Sequence, residues 1–251
     1  MTDIFDAVST GDLVNLKYHL HQNGSFMYAS LCNIAAETGH INYLKYLHEN
    51  GYFWDKTTCW RAALNGHIEC LKYAHENGCV WDINTCRYAA KYGHLECLQY
   101  AHKNGCPWNE EICSVAAGNG RLDCLKYAHE NGCSWDKITC DDAAKKGHLE
   151  CLKYAHENGC IWDKWTCGWA AKNNYIDCLR YAHENGCPYL EKELSTIVKK
   201  ILIPKWRDSV KSRPIVIYWM ELSAQTSCAE NGRARIEDEK SFENDFNSLI
   251  I

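Results

Sequence analysis

The chain has 251 residues, 24% charged and 46% apolar, an ordinary globular composition with enough length for one large domain or two smaller ones. A net charge of −5 supplies no basic field, so neither nucleic acid nor a membrane surface is an expected partner. No run of about 18 apolar residues exists, which excludes a membrane-spanning helix.

The opening stretch, MTDIFDAVSTGD, is acidic and lacks the basic and apolar regions of a signal peptide. The expected location is the cytoplasm, with the nucleus as the alternative. Thiols stay reduced in either compartment, so 17 cysteines need not form disulfides.

Self-similarity dominates the chain as far as Pro188. HENG or a close variant recurs at residues 21, 48, 75, 102, 129, 156 and 183, always 27 apart. The first copy has one extra residue between Tyr18 and Asn23 and reads as an N-terminal cap. A well-formed unit is WDKTTCWRAALNGHIECLKYAHENGC, Trp54 to Cys79, and the same frame restarts at Trp81, Trp108, Trp135 and Trp162.

Each unit predicts two short helices. Asp55, Asp82, Asn109, Asp136 and Asp163 stand where a helix N-cap belongs. Trp54, just before its cap, is placed to staple onto Cys59. The first helix is expected to reach about Leu64, and Asn65-Gly66-His67 turns the chain. The second helix is expected over Ile68 to Glu76, ending at Asn77-Gly78 with glycine in the left-handed capping place. Helices this short are marginal alone and need stacking on neighbouring units, the logic of a solenoid.

On a helical wheel Cys59, Ala62 and Ala63 share one arc of the first helix, while Trp60, Arg61, Leu64 and Asn65 share the other. In the second helix Ile68, Cys70, Leu71, Ala74 and His75 form the apolar arc, and Glu69, Lys72 and Glu76 the wet one. The cysteines form three columns. Cys32, Cys59, Cys86, Cys113, Cys140 and Cys167 lie in first helices; Cys70, Cys97, Cys124, Cys151 and Cys178 in second helices; Cys79, Cys106, Cys133, Cys160 and Cys187 just after the capping glycine. Only Cys228 lies outside them. Free cysteine behaves as a small buried hydrophobe. A zinc role would demand a liganding residue in every unit, yet Tyr43 and Tyr52 occupy two of the column positions. Disulfides between adjacent units are not expected either, because packed helices about 8–10 Å apart exceed the ~7 Å limit for a bridge. The histidine ladder from His48 to His183, and the histidines after the turn glycine (His40, His67, His94, His148), read as hydrogen-bonded structural groups. No catalytic set or phosphate loop stands out, and no cofactor is expected.

The pattern TCxxAAxxGHLECLKYAHENG resembles the ankyrin repeat, whose pattern runs TPLHxAAxxGHxEVVKxLLExGA. Ala62, Ala63, Gly66, His67, Glu69, Lys72 and Gly78 align directly, and the likeness covers residues 3 to 189. Two departures are clear. Thr57, Thr58, Cys59 and Trp60 replace the Thr-Pro-Leu-His opening, and the unit is 27 residues where the family has about 33. The shortfall falls between Asp82 and Asn84, where the family projects its β-hairpin finger. Short units rich in cysteine and tryptophan are similar to those of large DNA viruses of amoebae and of some protists, which implies a host cytoplasm as the location if the source is viral. The resemblance implies an all-α solenoid of stacked antiparallel helix pairs, ankyrin-like but without long β-hairpins, closed by a C-terminal helical cap. It also implies a module that binds another protein and is no enzyme.

With the fingers shortened, recognition is expected on the concave face of the first helices. Four positions per unit change while their neighbours repeat, and all lie opposite the packed alanines. From these, Trp60, Arg61, Leu64, Arg87, Tyr88, Lys91, Tyr92, Asp141, Asp142, Lys145, Trp169 and Lys172 are the candidate partner-binding residues. Trp, Tyr and Arg are the types enriched at binding hot spots.

The repeat dissolves after Pro188. Residues 1–189 are the expected repeat domain of about seven units, 190–223 a closing segment and 224–251 an acidic, disordered tail. Leu194, Ile197, Val198, Ile201 and Leu202 recur at helical spacing before Pro204. The leading function is a non-enzymatic, monomeric scaffold that binds another protein. One alternative is a substrate-recruiting adaptor of a ubiquitin ligase through an F-box-like segment at 190–204, which lacks the usual leucine-proline opening. A zinc- or redox-active Cys/His protein is the other.

Overall fold

The computed structural model describes residues 30–189 together with Val14. The N-terminal capping unit (Val14 aside), the closing segment with its F-box-like stretch and the acidic tail lie outside the described residues.

Residues 30–189 carry twelve helices in six pairs and no strand. These are α1 (Leu31–Glu37) with α2 (Ile41–Glu49), α3 (Lys56–Asn65) with α4 (Ile68–Glu76), α5 (Ile83–Tyr92) with α6 (Leu95–Lys103), α7 (Glu111–Gly118) with α8 (Leu122–Glu130), α9 (Lys137–Lys146) with α10 (Leu149–Glu157), and α11 (Lys164–Lys172) with α12 (Ile176–Glu184). Each first helix packs on the next first helix, and each second helix on the next second helix. The all-helical repeat solenoid is therefore present, and the second helix of the reference unit has the bounds expected of it.

Local chemistry sets the helix ends. Asp55, Asp82, Asp136 and Asp163 accept a hydrogen bond from the backbone N–H two residues on, at 2.8, 3.0, 2.9 and 2.8 Å. Asn109 accepts from Glu111 at 3.2 Å, but its helix begins at Glu111, one residue later than in the sister units. The turn Gly66 caps α3 in the left-handed region at φ +77°.

The core follows the repeat. Cys59, Ala62 and Ala63 are fully buried, as are Leu71 and Ala74 of the second helix, with Cys70 nearly so. One leucine at the same place in each second helix (Leu44, Leu71, Leu98, Leu125, Leu152, Leu179), and Leu47 as well in α2, is completely enclosed, and burying each contributes about 1.5–3 kcal/mol. Small alanines and thiols on the first helix let neighbouring units approach closely, so the units close-pack.

Candidate functional site

The variable positions of the first helices fall on one face, and the fold gathers them into two patches. In the first, the Trp60 and Tyr88 rings of adjacent units meet at 5.2 Å, tilted by 40°. Arg61 lies over Trp60 at 5.1 Å and Arg87 over Tyr88 at 5.8 Å. Lys91 sits over Tyr92 at 5.4 Å, and Tyr92 is 41% exposed. In the second, Trp169 is flanked by Lys145 at 4.7 Å and Lys172 at 5.1 Å, with Trp165 at 6.4 Å between ring centres. Trp165 is 44% exposed, and sequence reasoning misses it. It stands near the start of its helix, where the sister units have Thr57, Asn84 and Ile138, outside the four positions per unit that mark the face. Between the patches α7 presents small residues, with Ser114 and Gly118 buried.

Several expected contact residues also hold the units together. Arg61 pairs with Glu37 of the preceding unit, and Arg87 with Glu111 of the following one at 2.8 Å. Asp141 accepts a hydrogen bond of 2.6 Å from the Thr166 hydroxyl of the next unit. A Cβ on Gly118 would touch the Asp142 side chain at 3.0 Å, so the two helices are in close approach there. Burial pushes both the Asp141 and Asp142 carboxyls up from the usual carboxylate range. Trp60, Arg61, Leu64, Arg87, Tyr88, Lys91, Asp141, Asp142 and Trp169 are half-buried, whereas Tyr92, Lys145 and Lys172 are exposed. Each cation over a ring is worth about 0.5–1 kcal/mol at such a surface.

The sequence does not disclose the role of the repeated tryptophans. It predicts a staple of Trp54 onto Cys59. The structure stacks Trp54 on His48, the last-turn histidine of the preceding helix, at 3.8 Å between ring centres. The same stack recurs for His75 with Trp81, His102 with Trp108, His129 with Trp135 and His156 with Trp162, at 3.6–3.7 Å. Each histidine Nδ1 is hydrogen-bonded to the tyrosine hydroxyl of the next unit, for instance Tyr73 at 3.0 Å and Tyr127 at 2.9 Å. That tyrosine meets the tryptophan edge-on near 6 Å. The strict repetition of His, Trp and Tyr at 27-residue spacing is the available signal. It specifies a triad only once two units are stacked.

The second histidine ladder is also structural. His67 Nε2 is hydrogen-bonded to the Glu37 carbonyl at 3.0 Å, its ring lying against Gly39. His94 and His148 bond in the same way to the Leu64 and Gly118 backbones. Burial lowers the pKa of His94, His102 and His148. In each case the folded value lies below the unfolded one, so the unfolded chain binds more protons. Their contribution to stability is fully present above about pH 6.5 and is lost as pH falls from there toward the folded values. Thermal unfolding is expected to shift to lower temperature between about pH 7.5 and 5.5. His148→Tyr, the residue found at the equivalent Tyr175, should flatten that slope; an unchanged slope would contradict it.

The first-column thiols Cys59, Cys113, Cys140 and Cys167 reach the carbonyl of the third-column residue of their own unit at 3.8–3.9 Å. The third-column thiols bond to cap carbonyls, as Cys79 does to Asp55 at 3.1 Å. Cys70 and Cys97 are pushed up to about 12, chiefly by burial. All sixteen described cysteines are buried, and none is in a disulfide. Among the described residues no group of three or more His, Cys, Asp or Glu is placed to hold a metal ion, and no helix is long and apolar enough to cross a membrane. The sulfurs of the first and third columns are thus engaged by backbone and by one another.

A family model described as ankyrin repeats (many copies) matches residues 31–75, 59–102 and 140–183. Among solved structures, the crystal structure of the human ASB11 ankyrin repeat domain is similar over 64% of this chain and 85% of that one, at 22% identity and a TM-score of 0.54. No curated protein matches the chain.

Proposed function

Because this chain carries ankyrin repeats, we propose that it acts as a non-enzymatic, monomeric scaffold whose first-helix face holds another protein. The supporting observation is the pair of cation-flanked aromatic patches, Trp60/Tyr88/Tyr92 and Trp165/Trp169, built mainly from positions that vary while the packed ones repeat. Half-buried rings held by neighbours lose little freedom when a partner covers them, which favours binding. The exposed lysines at the rim favour a partner that presents carboxylates beside apolar anchors.

The test uses cation reversal, which leaves the inter-unit ring contacts intact. Lys91→Glu, Lys145→Glu and Lys172→Glu together should weaken partner capture about tenfold or more, while the chain still unfolds cooperatively with a midpoint lowered only by the three lost cation–ring contacts, about 0.5–1 kcal/mol each. A second variant, Phe53→Ser with Val80→Ser and Ile161→Ser, alters side chains that are 64%, 67% and 71% exposed at one shared repeat position between units. Loss of capture in the second variant with retention in the first would move the binding surface to those connections and overturn the reading.

A further inference from the structure

Five units contain a pair of thiols that face one another. In the reference unit Cys59 is fully buried inside α3, and Cys79, just past α4, is 4% exposed at the edge of the unit. The Cys59 sulfur reaches the Cys79 carbonyl at 3.9 Å across 20 residues of chain, and the two thiols lie close enough to shift one another's titration in opposite directions. Cys86 with Cys106, Cys113 with Cys133, Cys140 with Cys160 and Cys167 with Cys187 are paired in the same way, and the Cys113, Cys140 and Cys167 sulfurs reach the third-column carbonyl at 3.8–3.9 Å. The chain carries its own controls. In the unit before these, Tyr52 stands in the third column, so the Cys32 sulfur meets the Tyr52 carbonyl at 3.9 Å and no thiol of its own unit. The second-column thiols, Cys70 and its equivalents, are buried and have their thiol neighbours in adjacent units, as Cys97 has Cys70 and Cys124.

We propose that these five pairs are dithiol oxidation sites, each closing within its own repeat into a disulfide that ties the first helix to the chain just beyond the second. The oxidant is a small peroxide, able to enter where a bulky disulfide reagent is excluded. Cys79 is the thiol that reacts first. It lies nearest solvent, and the neighbouring Cys59 thiol holds it below the ordinary thiol range, while Cys59 is pushed up by Cys79 and by burial.

Cys79 passes its proton to water, and its sulfur attacks one peroxide oxygen. The O–O bond breaks, hydroxide leaves and takes up that proton as water, and a sulfenic acid forms. The Cys59 sulfur then attacks that sulfur, and its own proton departs with the sulfenic oxygen as water. The two thiols lose two electrons in all, and one hydrogen peroxide becomes two waters. A reductant restores the pair. The bridge closes a short loop and restricts the unfolded chain, so oxidation stiffens each repeat while leaving the outer face unchanged.

The test takes the reduced full chain, treats it with dilute hydrogen peroxide, quenches, and alkylates the remaining thiols under denaturing conditions before peptide mass mapping. The expected products are bridges joining Cys59–Cys79, Cys86–Cys106, Cys113–Cys133, Cys140–Cys160 and Cys167–Cys187, each lowering the mass by two hydrogens. Cys32 and the second column should carry the alkyl label. The oxidised chain should unfold on the order of 10 °C higher, reversibly with reductant. Tyr52→Cys should create a sixth bridge, to Cys32. Bridges between columns other than the first and third, bridges between units, sulfinic acid at Cys79 in place of a bridge, or uniform alkylation of all seventeen cysteines would each overturn the proposal.

Discussion

Gly66→Ala is expected to destabilise the fold by about 3 kcal/mol, while Gly78→Ala, at an equally left-handed position, costs only about 1 kcal/mol. Both glycines have φ between +77° and +85°, so both substitutions meet the same backbone penalty. They differ in what surrounds them. Nothing lies within 4 Å of a Cβ on Gly78, but a Cβ on Gly66 would fall 2.5 Å from His94 Nδ1 and 2.8 Å from its Cε1. The His94 ring is anchored by its hydrogen bond to the Leu64 backbone in the preceding unit, so it moves aside only by giving up that bond. The hydrogen bond accounts for about 1 kcal/mol, and the displaced inter-unit packing for the rest. Chemical denaturation of both variants measures the difference. Adding His94→Ala to Gly66→Ala should bring the glycine penalty back to that of Gly78→Ala; equal costs for the two glycines would refute the interlock.

Trp108→Ala should cost a similar amount, about 3 kcal/mol, although the indole is only half-buried. Its ring stacks on His102 at 3.6 Å with planes 16° apart and meets Tyr127 edge-on at 6.3 Å, while His102 Nδ1 bonds the Tyr127 hydroxyl at 2.9 Å. Removing the indole uncovers both faces of this contact and loosens two units at once. Trp108→Phe should retain most of the stability, because a ring still covers the imidazole. A double-mutant cycle with His102→Ala should return a coupling of about 1 kcal/mol or more. Strict additivity would mean that the stack is incidental.

The contrast between these residues shows what is legible in sequence. Cys59, Ala62 and Ala63 are legible as core because helical periodicity alone puts them on one arc, and Asp55 and Asp82 are legible as caps because capping is satisfied within three residues. The His102–Trp108–Tyr127 triad is not, since His102 belongs to the unit before the one that holds Trp108 and Tyr127. The candidate site is half legible. Variation among units locates the first-helix face, but not the division into two patches around small residues of α7. Nor does it separate Asp141, engaged by Thr166, from the exposed Lys145.

The sequence by itself determined the unit: its 27-residue period, its two helices with their caps and turns, and the arc each helix buries. These are local properties, decided by side chains within a few residues of one another along the chain. The tertiary structure decided the rest: which rings meet, which sulfurs pair, and which turn glycines must stay bare beneath a histidine. Apart from the His–Trp stacks, six positions apart, and the Trp165–Trp169 contact, those contacts join residues roughly 20 to 30 positions apart. They depend on the packing distance between helices, which is set only when helices meet.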